Sequence, residues 1–388
     1  MHTLRSAVVS QGAPRSAIRT RHASGGRVGP ALACGVLIGV LSLATGGCPM
    51  AFTDLLTGAA SAVTGTVWVA DEDGDAVSVL DAATNKVVAT LTGLPGPHNI
   101  QVAPGGEFVW ATSGTTNQVI VIHAADYEVE GTVAVGGAPA HVILTPDGAS
   151  AYVSNADDDT VSVIDVAQMQ VVATIAVGDY PHGLRPSPDG RYVYVANVNS
   201  GTVSVLDTAT RTRLTDITVG EKPVQVALCS RGLYVFVSLN GEDALAMIDA
   251  TTNTLVGKVT VGDGPIQVYV TPDNRYILVC NQGTQETPSS TVSIVELRTL
   301  TVVKTITTGA GAHGVVIDDA GRYAYITNVY DDTVSVLDLD ALEVVTTIAV
   351  GDAPNGVSFA AQAPATPAAD VIDLTLPEIE EVNKHEGH

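Results

Sequence analysis

Along most of this chain, apolar residues come in short bursts separated by turn residues. Between positions 181 and 220 the sequence reads PHGLRPSPDGRYVYVANVNSGTVSVLDTATRTRLTDITVG. Runs rich in Val and Tyr, bounded by Gly, Asn, Asp and Pro, are the pattern of β-strands between tight turns. The pattern predicts four strands in this stretch, over 182–185, 192–196, 202–207 and 213–219. No long 3.6-residue periodicity competes with that reading.

The same unit recurs. The residue closing the third strand is in turn Asp81, His123, Asp165, Asp207, Asp249, Glu296 and Asp338. Successive intervals are 42, 42, 42, 42, 47 and 42 residues. Four strands at a period of about 40–45 residues are the signature of a propeller blade, and seven markers predict seven blades. The first unit starts at its second strand, Val67-Trp68-Val69-Ala70, with no inner strand before it. The missing strand is at the other end, where Pro354-Asn355-Gly356-Val357 matches Pro181-His182-Gly183-Leu184. Strands from both termini would therefore complete one blade and leave the ring without an open edge. The fold class predicted is all-β: a seven-bladed propeller of four antiparallel strands per blade.

The tetrapeptides YVSN, YVAN and YITN end at Asn155, Asn197 and Asn328, and each precedes TVSVID or TVSVLD after a turn. With VATI, VG-x-x-P and PDG completing the repeat, the chain resembles the YVTN-type β-propeller family from about residue 67 to 359. The resemblance speaks for fold more than for function, because propellers host many unrelated activities. Some seven-bladed relatives hydrolyse sugar lactones or carry redox cofactors, but their functional residues find no one-to-one match here.

Four segments follow: 1–47, 48–66, 67–360 and 361–388. The first carries Arg5, Arg15, Arg19, Arg21 and Arg27, no acidic residue, and then the apolar run ALACGVLIGVLSLA. That is an export signal, too short for a membrane span of about 20 apolar residues. Cys48 follows two glycines and resembles a bacterial lipoprotein cleavage site, which predicts a lipid anchor at Cys48 and a periplasmic or cell-envelope location. Thr45 stands where that pattern prefers Leu, and an ordinary secretory cleavage is the alternative. Pro49, rather than Asp, after the cysteine favours the outer membrane. Residues 48–66 read as a tether, and the acidic segment 361–388, ending in His385 and His388, as an extended or disordered tail.

Without its leader the chain has 13 basic against 41 acidic residues, a net charge of −28. This argues against nucleic-acid binding, which needs a basic patch. No C-x-x-C-H, no HExxH, no serine elbow and no Gly-rich phosphate loop is present. Cys229 and Cys280 fall on different strands of neighbouring blades, a poor arrangement for a disulfide.

Histidine placement carries the remaining signal. At the start of the inner strands the chain has His98, Ala140, His182, Val224, Ile266, His313 and Asn355, followed one residue on by Asn99, His141, Gly183, Gln225, Gln267, Gly314 and Gly356. These positions should ring one mouth of the central channel, inside acidic loops such as 71–75 and 157–159. Neutral imidazole is the commonest protein metal ligand. The expected metal ligands are His98, His182 and His313 for a divalent transition metal, with His141, Arg185, Gln225, Gln267 and Asn355 as binding residues. No other cofactor is expected. A repeated structural role for these histidines, propagated by blade duplication, is the competing account. The function expected is non-enzymatic: a monomeric binding or scaffold propeller taking a metal ion, a small cationic ligand or a protein partner. Hydrolysis of a small exported substrate such as a sugar lactone is the alternative.

Overall fold

The computed structural model describes residues 63–367 and 369–377. Seven antiparallel sheets form a ring, and each corresponds to one sequence repeat. Blade 1 holds Thr66–Asp71, Ala76–Asp81 and Lys86–Thr92 and takes its inner strand, Pro354–Ala360, from the far end of the chain. Blades 2 to 7 begin at Pro97, Pro139, Pro181, Pro223, Pro265 and Ala312. The closing pair runs antiparallel, with Thr66 opposite Ala360 and Val67 opposite Phe359. Among the described residues no helix is long and apolar enough to cross a membrane.

The two middle strands of each blade are buried on both faces. Thr202–Asp207, for example, has Val203, Ser204, Val205 and Leu206 all buried. A strand packed against a blade on either side needs apolar residues in a continuous run, not in alternation. The outer strands lie at the rim, and Thr212–Thr218 buries only Ile217. Seven clusters of buried side chains result, one at each blade interface. Val203, Val205, Val235 and Val237 build the one between blades 4 and 5.

The letters of the repeat acquire physical roles. The final Asn sits buried, and in blade 3 Asn155 Nδ2 donates to Thr160 Oγ1 and Ser162 Oγ, both at 2.9 Å. Its Oδ1 accepts from Gly136 N at 3.1 Å. The hydroxyl one residue earlier bridges blades: Ser154 Oγ accepts from His141 N at 3.0 Å and donates to His182 O at 2.6 Å. Thr112, Ser238 and Thr327 repeat this link. It pins a β-bulge, where the inner strand carries one residue more than its partner.

Two expectations change. The glycines that end the outer strands suggest, from sequence, a backbone freed for the turn into the next blade; Gly220 shows it with a φ of 138°, yet Gly136, Gly178, Gly262, Gly309 and Gly351 have no positive φ. They are needed for space: a Cβ on Gly309 would lie 2.7 Å from Asn328 Cγ, and one on Gly136 2.6 Å from Asn155 Cγ. The segment after residue 360 is also not a free tail throughout. Val371–Asp373 adds a parallel fifth strand to blade 1, opposite Thr90–Thr92. Leu374 is buried, Ile372 and Leu376 pack beside it, and Tyr127 OH donates to Ala365 O at 3.1 Å. The outermost strand of a blade leaves backbone groups unpaired, and this strap satisfies one row of them. His385 and His388 lie outside the described residues, as do the export segment and Cys48.

The five extra residues of blade 6 lengthen the hairpin of Tyr276–Gly283 and Pro288–Glu296. Cys229 and Cys280 are buried free thiols.

Candidate functional site

The inner strands deliver their first residues to one mouth of the channel, and the bulge behind them decides which side chains meet. His98, His141 and His182, from consecutive blades 2, 3 and 4, converge so that one ring nitrogen of each lies within 4.8 Å of the others. His98 Nε2 is 3.3 Å from His182 Nε2. Ring centroids are 4.7 Å apart for His141 and His182, and 5.7 Å for His98 and His141. His141 joins this group although it sits one residue deeper in its strand, after Ala140.

Tautomers follow from the partners. His182 Nδ1 faces Val224 O at 3.3 Å, and a carbonyl can only accept, so the proton sits on Nδ1. His98 Nδ1 lies 3.0 Å from Glu72 Oε1 and 3.2 Å from Asn355 Nδ2; with Asn355 Nδ2 already donating to Glu72, the carboxylate assigns the Nδ1 proton to a bond with Glu72. Both Nε2 atoms then carry lone pairs, and these point at each other. Both nitrogens of His141 are buried without any hydrogen-bond partner.

Burial keeps His141 and His182 neutral. It pushes His141 well below the usual histidine range, with the neighbouring His182 and His98 adding to the effect. His182 is brought down to about 3 by burial and then by His98 and His313. For Glu72, burial works against ionisation, but hydrogen bonds from His98 and Asn355 and the proximity of His98 outweigh it and hold the carboxyl at about 2. Asn355 Nδ2 donates to Glu72 Oε2 at 2.6 Å. Glu72 is thus an anion that orients His98, the arrangement by which carboxylates steer metal-bound histidines.

The predicted residues separate into groups. His98 and His182 meet as expected and are joined by His141. His313 is buried beside Glu72 with neither nitrogen bonded, and burial takes it down to about 3, but it is not among the converging three. Asn355 supports Glu72. Gln225 and Gln267 satisfy one another, Nε2 to Oε1 at 3.0 Å, and Gln225 Oε1 accepts from Val226 N. Arg185 is three residues beyond His182 on the same strand, towards the opposite mouth. Many acidic loop residues are occupied by backbone: Asp158 accepts from Gly137 N, Asp159 from Tyr180 N, Asp243 from Gly264 N and Asp332 from Ala353 N. Glu72 is the member of the acidic loops that turns inwards to the histidines. Its signal in the sequence was an acid at a repeat position where other blades carry Ala156, Val198, Asn240, Gln282 and Val329.

The YNCE-like beta-propeller family profile matches residues 109–364. Among solved structures, hydrazine synthase of Kuenenia stuttgartiensis is similar at 26% identity, over 69% of this chain and 90% of that one, with a TM-score of 0.62. A functionally unknown protein from Desulfotomaculum acetoxidans is 17% identical over 78% of this chain and all of its own, with a TM-score of 0.68. A putative 6-phosphogluconolactonase from Bacteroides uniformis is 16% identical over 77% and 100%, with a TM-score of 0.65. The last two likenesses speak for the fold alone. No curated protein matches significantly.

Proposed function

This chain belongs to the YNCE-like beta-propeller family, and from its channel geometry we propose that it is a binding propeller that holds a divalent transition metal ion on His98, His141 and His182. The observation that carries this reading is the 3.3 Å gap between two Nε2 lone pairs. Two lone pairs at that distance repel unless a cation lies between them. Ligands about 2.0–2.1 Å from a tetrahedral ion are separated by roughly 3.3–3.4 Å, so the pair already has the spacing of two bound imidazoles. His141 supplies the third nitrogen after a small side-chain rotation, and Glu72 fixes the His98 ring from behind. Burial holds His141 and His182 neutral, which removes the usual competition between proton and metal at those two ligands near neutral pH.

The reading extends to location. The basic, apolar leader and Cys48 support export with lipid attachment at the cell envelope. A Cys48→Ser variant that fractionates with membranes like the parent would remove the anchor from this account.

Calorimetric titration with copper, zinc and nickel tests the metal site. The chain should carry His385→Ala and His388→Ala so that its terminal histidines do not contribute. One ion per chain is expected, with loss of that heat in His98→Ala and His182→Ala. Equal binding by parent and both variants would reduce the cluster to a product of blade repetition. Assays of the same proteins against sugar lactones separate binding from the hydrolase alternative.

A further inference from the structure

The opposite mouth of the channel has a different chemistry. There the fifth residues of the inner strands form a second ring: Gln101, Ile143, Arg185, Ala227, Tyr269, Val316 and Ser358, one per blade at intervals of 42 residues, or 47 across blade 6. Arg185 is the one cation of this ring. Its Nη1 donates to Leu184 O at 3.3 Å, and among the described residues it makes no ion pair. Arg185 lines a cavity of about 240 Å³ at this mouth. Tyr269 lines the same cavity, and its hydroxyl has no hydrogen-bond partner among the described residues. Arg185 is only partly buried, but where it is shielded from water it has no counter-ion beside it.

We propose that Arg185 and Tyr269 bind the carboxylate of a small monocarboxylic acid whose apolar tail lies in the channel. A guanidinium fork matches two carboxylate oxygens, and the phenol adds a third donor on the same side. Ile143, Val316 and Phe359 contribute apolar surface for the tail, beside the polar Gln101 and Ser358. Asp319 also lines it, which disfavours multiply charged anions such as phosphate and leaves a single negative charge as the match for Arg185. A volume of about 240 Å³ has room for a carboxylate with a chain of several carbons.

The site stands apart from the metal reading because it lies at the other mouth and is tested without metal, although the charge of Arg185 reaches His141. Hexanoate, acetate and phosphate are titrated calorimetrically into the full chain at constant ionic strength, with chelator present. Hexanoate is expected to bind, acetate more weakly for want of a tail, and phosphate least. Arg185→Gln should weaken hexanoate about tenfold or more, and Tyr269→Phe by about threefold to tenfold, as for lost hydrogen bonds to a charged group. Tyr269→Phe keeps the cavity's shape and answers the question even if Arg185→Gln fails to fold. Absence of hexanoate binding, equal affinity in parent and Tyr269→Phe, or phosphate binding as tight as hexanoate would each overturn the proposal.

Discussion

Replacing Asp71 by Asn should stabilise the protein above neutral pH and do little for it in acid. Asp71 ends Trp68-Val69-Ala70-Asp71 and stands where other blades have Asn155, Asn197, Asn281 and Asn328. Those amides donate to two hydroxyls. Asp71 instead accepts, from Ser78 Oγ at 2.7 Å on Oδ2, while its Oδ1 is buried without a partner. Burial, only partly offset by the hydrogen bonds from Ser78 and Gly351, raises its pKa from 3.8 to about 7. A folded-state value above the unfolded one means stability that is fully present below pH 3.8 and lost as pH rises through 7. A shift of about three units corresponds to about 4 kcal/mol at pH 8. Asparagine removes that loss and can donate to Ser78, but Ala76 stands where Thr160 serves blade 3, so one amide hydrogen lacks a partner. The net gain at pH 8 should therefore be about 2–3 kcal/mol. Denaturant unfolding of parent and variant from pH 4 to pH 8 measures it. The gap between them should open across pH 4–7, and because both share the same histidines, acid effects of those cancel. Parallel curves, or a variant weaker at both ends, would refute the reasoning.

Acid should destabilise the parent by a separate route. His182 and His313 are held at about 3 against 6.5, so the stability from folding them neutral is present above pH 6.5 and lost as pH falls towards 3; His313→Gln should flatten that limb in the same titration. Ser154→Ala breaks the link from blade 3 to His182 O and should cost about 1–3 kcal/mol in urea unfolding, the price of leaving buried backbone unsatisfied. Gly309→Ala drives a methyl into Asn328 and should lower the melting temperature by several degrees, with Asn328→Ala restoring part of the loss. Leu374→Ala should weaken the strap, seen as faster amide exchange at Thr90 and Leu374, whose backbone N–H groups bond across it.

Blade number and ring closure were legible because they rest on local chemistry repeated at a fixed interval: Asp-Gly turns, paired valines, and a first repeat that lacks its inner strand. The site was legible only as a ring of positions. His141 rather than His313 completes the converging three because a bulge lets a deeper residue reach the mouth, and it leaves no mark in residue spacing. The strap was missed because Val371, Ile372, Leu374 and Leu376 are too few to fold alone. What they need is the unpaired edge of Lys86–Thr92, almost 300 positions earlier. At Gly136, Gly178, Gly262 and Gly309 the need for glycine comes from an asparagine in the following blade, a crowding that spacing along the chain does not show. The acidic loops resembled a field for cations until their carboxylates were found on backbone N–H groups.

Ring closure also decides how the molecule bears force. Thr66 and Ala360 face each other at the end of one antiparallel pair, so the chain leaves the ring at two adjacent points. Tension applied there would peel that pair open one bond at a time, the weakest way to load a ladder. The strap changes the geometry. Residues 361–374 carry the chain across to Thr90–Thr92, where it runs parallel to its neighbour, and a pull from the C-terminal side reaches this segment first. Its bonds must fail, and Leu374 must leave its pocket, before the closing pair feels any load. A segment too short to fold by itself thereby shields the one seam on which the integrity of all seven blades depends.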